Sequence, residues 1–232
     1  MKTKHTVIQM DDFAWRIEEE SVRSFLFAGT ERALLVDSGK DITNMKEVVR
    51  ALTSLPVVLV NTHADFDHIS CNAQFDEIFM HPSEFFMYRN VQGRRDNINP
   101  LWEGDVIDIG NRRFETILIP GHTPGSIALL DSDNRILIGG DSVQNGYIYL
   151  FGAERDLMAY KSSLKKLLHY VDLFDWIYPS HAQCPIGSGI IQGLVAGTSE
   201  LLKGSFEGAP YFPGNQTVKA YDIGVAHILS EL

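Results

Sequence analysis

Only two cysteines, Cys71 and Cys184, occur in 232 residues, and they lie far apart in the chain. Two cysteines cannot supply a disulfide framework, so the cytoplasm is the expected location and each cysteine reads as a small buried residue. Long apolar runs are also lacking. No stretch approaches the roughly 18 consecutive apolar residues of a membrane-spanning helix, and no apolar segment follows Met1–His5 before Asp11-Asp12. Neither a membrane partner nor an export signal is expected. Positive charge is scarce: 20 Lys and Arg face 30 Asp and Glu, for a net charge of −10. That balance argues against a phosphate-tracking surface, and so against nucleic acid as the main partner. Low-complexity tracts, linkers and short repeats are missing too. What remains, 44% hydrophobic and 22% charged residues, is the composition of a globular protein long enough for a sizeable core. A small molecule is the expected partner, with monomer and homodimer both open.

Strand-like pieces open the chain at Val7–Met10, Phe13–Glu18, Ser21–Ala28 and Ala33–Val36, with a turn at Gly29-Thr30-Glu31-Arg32. Ile42, Met45, Val48, Val49 and Leu52 are spaced for a helix over Asp41–Thr53, with Asp41 as its cap. Val57–Val60 is an apolar run that reads as a buried strand. A short helix around Asn72–Glu77, a strand Ile78–His81 and a helix Pro82–Arg89 follow, and Val91–Pro100 reads as a polar loop. Further strands are expected at Val106–Ile109, Phe114–Ile119, Ile127–Leu130, Ile136–Ile138 and Trp176–Tyr178. Helices are expected at Asp156–Val171 and Ile186–Lys203, and a closing hairpin at Thr217–Tyr221 and Val225–Leu229. Strands and helices alternate in two successive rounds, which suggests two packed sheets with helices outside.

The richest stretch follows Val60: Asn61-Thr62-His63-Ala64-Asp65-Phe66-Asp67-His68-Ile69, with four potential metal ligands in six positions. His63, Asp65 and Asp67 are spaced by two, so in an extended segment they project to one side, and a helix can begin at His68. Imidazole suits zinc, iron and related metals; carboxylate adds charge and a harder donor. The plain alternative is a solvated polar loop. Three later elements can complete a site: His122 in Pro120-Gly121-His122-Thr123-Pro124-Gly125, Asp141 in Gly139-Gly140-Asp141-Ser142, and His181 in Tyr178-Pro179-Ser180-His181. Each lies just beyond an expected strand, and strand ends converge at one sheet edge.

In these motifs and their order the chain resembles the metallo-β-lactamase fold superfamily of metal-dependent hydrolases, including its glyoxalase II-like members, from Phe25 to about Ala182. Asp37-Ser38-Gly39 resembles the first motif, and the His63 stretch resembles the His-x-His-x-Asp-His signature. The resemblance implies an α/β fold, a four-layer αββα sandwich over a single domain, 1–232. It also implies a binuclear metal site. One ion would be held by His63, Asp65 and His122, the other by Asp67, His68 and His181, with Asp141 bridging. The departure is Asp65, which stands where the signature has its second histidine. A flavodiiron group of the same superfamily carries a glutamate there and binds two irons. That precedent narrows the preference, but zinc is still expected ahead of iron or manganese, and loss of the first metal stays open.

Two metals sharing a water lower its pKa, and the resemblance implies attack by a metal-bound hydroxide on a small ester, thioester or lactone. Asp67 is the candidate catalytic residue, orienting the nucleophile or moving its proton. Asp37 either fixes a ligand histidine or is a turn aspartate. Phe66, Trp102, Tyr147, Tyr149 and Phe151 are candidate pocket walls, although large aromatics are more often core. Arg94-Arg95 and Arg155 are candidate anchors for an anionic substrate, against a solvated-surface reading, and the segment 83–100 is a candidate lid. After His181 the only lysines or arginines are Lys203 and Lys219, which argues against glutathione thioesters. A non-haem iron oxidoreductase handling oxygen or sulfur species, and a non-catalytic metal-binding module, are the competing readings.

Overall fold

The computed structural model describes residues 5–93, 97–214 and 216–232. It divides into two compact units, Met1–Thr116 and Ile117–Leu232.

The first unit is built on a seven-stranded sheet whose order follows the chain: β1 (Thr6–Asp11), β2 (Ala14–Glu18), β3 (Arg23–Ala28), β4 (Ala33–Val36), β5 (Val57–Val60), β6 (Ile78–Met80) and β7 (Ile98–Pro100). The first four strands pair antiparallel, as short turns demand, including Gly29–Arg32, where the Gly29 N–H donates to the Arg32 carbonyl at 2.9 Å. From β4 to β7 the pairing is parallel, because helices α1 (Met45–Leu52), α2 (Phe66–Ile69) and α3 (Phe85–Gln92) fill the returns. Leu26, Leu35, Leu59, Met45, Val49, Ile69 and Ile78 join one apolar cluster. Each such side chain contributes about 1.5–3 kcal/mol by leaving water, which holds β5 in the sheet interior. The hairpin of β8 (Val106–Asp108) and β9 (Arg113–Leu118) follows, and the first unit ends within β9, at Thr116.

Several sequence expectations are corrected here. Helix α1 starts at Met45 with Asn44 at its N-cap, not at Asp41. The amides of Lys40 and Asp41 instead donate to the Glu19 carboxylate at 2.7 and 2.8 Å, which holds the chain non-helical. The expected loop Val91–Pro100 contains the end of α3 and the edge strand β7, whose Asn and Pro content disguised it. The expected helix around Asn72–Glu77 is only a 3₁₀ turn, Asn72–Gln74.

In the second unit four strands run in the order β14 (Ile186–Gly187), β13 (Trp176–Pro179), β11 (Ile136–Gly140), β10 (Ile127–Asp131). A further sheet has the order β12 (Tyr147–Tyr149), β17 (His227–Ser230), β16 (Val218–Asp222), β15 (Ala209–Tyr211). Helices α4 (Leu157–Leu167) and α5 (Ile190–Leu201) cover a core that includes Ile117, Leu137, Tyr160, Leu164, Ile177 and Leu194. Asp156 caps α4, accepting from the Ala159 N–H at 2.7 Å. That helix ends at Leu167, short of the expected Val171. Ile186 lies in a strand rather than in the expected helix, which begins at Ile190. Strands β12 and β15 are too short to be seen as periodic patterns.

Candidate metal centre

In the first unit, β4 and β5 run parallel and end together, with Val36 opposite Val60. Asp37 follows β4 directly, in a left-handed conformation at φ 59°, and is 1% exposed. Few non-glycine residues adopt this conformation. Its carboxylate collects three donors at 2.8 Å each: the Thr62 amide, the Thr62 hydroxyl and the His68 Nδ1–H. Asp37 thus fastens both the strand end and the histidine of α2. Asn61, Asn72 and Ser38 form a second buried network behind it. Asn61 Nδ2 donates to the His68 carbonyl at 3.0 Å, and Asn72 Nδ2 to Asn61 Oδ1 at 2.7 Å.

The ligand stretch is not extended throughout. Asp65 is extended (ψ 148°) and the chain is helical from Phe66, so Asp67 and His68 lie in the first turn of α2. This corrects the expectation that Asp67 projects from an extended segment with His63 and Asp65. Asp65 occupies the N-cap position, yet its carboxylate makes no cap hydrogen bond. Its Oδ2 lies instead 3.6 Å from His63 Nε2, and Asp67 Oδ1 lies 3.8 Å from His68 Nε2.

In the second unit, β11 and β13 are parallel neighbours, so the residues beyond them meet. Asp141 follows Gly140, and its Oδ2 lies 3.1 Å from His181 Nε2 and 3.6 Å from His122 Nε2. His122 rides on a turn locked by Thr123 and Ser126. Gly121 precedes it at φ 139°, where a Cβ would stand 2.5 Å from the Tyr160 backbone nitrogen, so helix α4 presses directly on this loop. The His122 Nδ1–H donates to the Tyr149 carbonyl at 2.9 Å.

These contacts set the tautomers. The Thr62 hydroxyl gives its proton to Asp37, so its oxygen accepts from His63 Nδ1–H at 3.0 Å. In their neutral form His63, His68 and His122 therefore all carry their proton on Nδ1 and present the Nε2 lone pair. In each case that lone pair faces a carboxylate oxygen 3.6–3.8 Å away. Two electron-rich acceptors at that range repel unless a cation lies near both. Neutral imidazoles orientated through Nδ1 beside carboxylates are the donor set of a divalent metal, so the residues fit one. Sequence reasoning missed Thr62, the Tyr149 carbonyl and Glu84, which accepts from the Ala64 amide at 2.7 Å. A backbone carbonyl has no sequence signature, and β12, which supplies it, was not expected.

The aromatic pocket candidates are not core. Phe66, Trp102 and Tyr147 are 54%, 53% and 43% exposed, while Tyr149 and Phe151 are half-buried. Trp102 packs edge-on against His81. Arg155 is half-buried, and Arg94-Arg95 lie outside the described residues. Among the described residues no helix is long and apolar enough to cross a membrane.

The fold and the donor set define a metal-dependent hydrolase. Residues 17–181 match the family model of the metallo-beta-lactamase superfamily, and the chain belongs to that superfamily. The acyl-coenzyme A thioesterase MBLAC2 of Gallus gallus is 28% identical over 196 residues, covering 68% of this chain and 71% of that protein. The hydroxyacylglutathione hydrolase GloC of Haemophilus influenzae is 24% identical over 143 residues, covering 54% of this chain and 68% of that one. Among solved structures, the DIM-1 metallo-beta-lactamase superposes with a TM-score of 0.70 at 12% identity, over 85% of this chain and 98% of that one. The expected metallo-β-lactamase fold is thereby established.

Proposed function

We propose that the chain hydrolyses a small thioester at a binuclear metal site. In this reading His63, Asp65 and His122 would hold one divalent ion and Asp67, His68 and His181 the other, Asp141 would serve both, and the chain would act as one domain, 1–232. The observation that carries it is the fixed Nε2-presenting tautomer of His63, His68 and His122, each beside a carboxylate. Support also comes from the family's order of motifs and from two relatives whose names specify thioester substrates. Bound divalent metal, with zinc ahead of iron or manganese, acidifies water and stabilises negative charge on an acyl oxygen.

The remaining work falls to side chains. Asp67, in the first turn of α2 and half-exposed, orients the attacking water and takes its proton. The water oxygen bonds to the acyl carbon, the carbon–sulfur bond breaks, and the proton held by Asp67 passes to the departing sulfur, leaving a carboxylic acid and a thiol. Asp37, Thr62 and the Tyr149 carbonyl hold Nδ1 of these imidazoles and keep the rings aimed. Lys203 pairs with Glu200 at 2.7 Å, and the Lys219 ammonium lies 6.0 Å from the Tyr221 ring centre. Neither is a dedicated anchor for glutathione, so the acyl group and thiol of a non-glutathione thioester fit better.

Thiol release from acetyl-coenzyme A, S-lactoylglutathione and N-acetylcysteamine thioesters, followed with a chromogenic disulfide, tests this. Asp67→Ala should lower kcat by about 10²-fold or more, the scale of a lost acid–base group, and His122→Ala, which removes a metal donor, should abolish turnover. Full activity in both variants, or no thioester turnover by the wild type beside rapid ester or lactone hydrolysis, refutes the reading. Asp65 favours a second reading: two histidines with one carboxylate, as in His63, Asp65 and His122, is a donor set common to non-haem iron sites. Negligible iron in protein purified without added metal, with zinc present, eliminates that redox alternative.

A further inference from the structure

Glu84 is among the most deeply buried acids in the first unit, 1% exposed, and nothing in the ligand motifs calls for it. It ends a 3₁₀ turn, Pro82–Glu84, that follows β6. The turn is pinned at its start, where His81 Nδ1 accepts from the Ser83 amide at 3.3 Å and the His81 carbonyl accepts from the Glu84 amide at 2.9 Å. From there the Glu84 side chain reaches back to the ligand stretch, and its Oε2 accepts from the Ala64 N–H at 2.7 Å. Ala64 is itself 1% exposed and lies between His63 and Asp65. Water cannot readily replace the carboxylate at that amide.

The placement matters because of what grips the other side. Asp37 accepts from the Thr62 amide, one residue before His63, at 2.8 Å. Glu84 accepts from the amide one residue after it. Two buried carboxylates from different elements thus hold the backbone on both flanks of His63. Losing either acceptor would leave a buried amide unsatisfied beside His63. We propose that Glu84 is a positioning residue: with Asp37 it forms a clamp that fixes the peptide units from which His63 and Asp65 project, and so sets the geometry of that ligand pair. This rests on the metal-site reading above.

The test uses the full chain, zinc and cobalt(II) as probes, and the variants Glu84→Gln, Glu84→Asp and Glu84→Ala. Zinc affinities come from competition with a chromophoric chelator, and ligand geometry from the visible bands of the cobalt-loaded protein. Glutamine offers an amide oxygen at the same reach, so Glu84→Gln should keep the wild-type affinity and cobalt spectrum. Aspartate keeps the charge but is one methylene too short. Glu84→Asp and Glu84→Ala should weaken one of two zinc ions by about 10–100-fold, as for other residues that orient ligands, and alter the cobalt bands. If Glu84→Ala does not fold, the Gln and Asp variants decide. Wild-type affinity and spectrum in Glu84→Asp, or a loss in Glu84→Gln as large as in Glu84→Asp, overturns the clamp. A wild-type chain that binds no zinc overturns the metal-site reading, and the clamp with it; normal wild-type binding with unaffected variants overturns the clamp alone.

Discussion

Replacing Asp37 by alanine removes the acceptor shared by three buried donors: the Thr62 amide, the Thr62 hydroxyl and the His68 Nδ1–H. A buried donor left without a partner costs about 1–3 kcal/mol. The two side-chain donors can turn toward other partners, but the Thr62 amide cannot, so the three together come to about 3–4 kcal/mol. Alanine must also accept φ 59°, which adds about 1 kcal/mol. The expected loss is about 4–5 kcal/mol, about a quarter or more of the roughly 5–15 kcal/mol that holds a typical domain. Urea unfolding in the presence of a chelator measures it, because metal release then adds nothing to the difference. Asp37→Gly separates the causes: glycine accepts the left-handed backbone but supplies no acceptor, so it should recover only the backbone share. Asp37→Asn, which keeps one oxygen and tolerates that backbone, should fall between wild type and alanine. A loss below about 1 kcal/mol for Asp37→Ala, or full recovery by Asp37→Gly, would show that the three bonds do not carry the stability assigned to them.

Two further outcomes follow from the titrating groups. Burial, aided by the charge of Glu19, pushes the Cys71 thiol up to about 12, and its Sγ lies 3.2 Å from the Ile42 carbonyl; Cys184 is only half-buried. A thiol reagent at mildly alkaline pH should therefore titrate one cysteine in the native protein and two after unfolding, and rapid reaction of two in the native state refutes this. Burial lowers the pKa of His81 below 6.5, against the opposing pull of Glu84 and Glu103. The unfolded chain then binds the extra proton first, so the stability owed to neutral His81 is complete above pH 6.5 and is lost as pH falls from 6.5 through the folded value. His81→Asn keeps a cap acceptor for Ser83 that does not titrate in this range. Wild type should lose stability relative to it on acidification, and a difference in urea midpoint that is constant with pH contradicts the mechanism.

The residue types of the site were legible in the sequence because ligands are rare at such density: His63, Asp65, Asp67 and His68 crowd the end of an apolar run, and that run is β5. The element order was legible where burial is one-sided, as in α4, or where a short apolar run is buried whole, as in β4. What was hidden is the apparatus that aims the ligands. Thr62 looks like any strand-end threonine, and Glu84 like any surface acid after a proline. The Tyr149 carbonyl that fixes His122 belongs to a three-residue strand, too short to show a period. Long-range contacts of this kind pair one local sequence with another, and neither member announces its partner. The helix start at Asp41 was misplaced for the same reason, since Glu19, far upstream, holds its amide.

The backbone change within the ligand stretch carries a consequence that the spacing by two concealed. Had the chain stayed extended to Asp67, three ligands would share one face and His68 would point away. The conformation switches instead after Asp65, from extended to the first turn of α2. His63 and Asp65 then face each other across 3.6 Å, while Asp67 and His68, consecutive in a helix, converge at 3.8 Å. One strand end is thus sorted into two pairs of one imidazole and one carboxylate. The proposed binuclear site needs that division, because each ion takes one pair. Asp65 stands at the hinge as both the last extended residue and the helix N-cap. Its carboxylate leaves the helix amides alone and sits by His63, so a histidine at this position would change the first pair's charge while leaving the sorting intact.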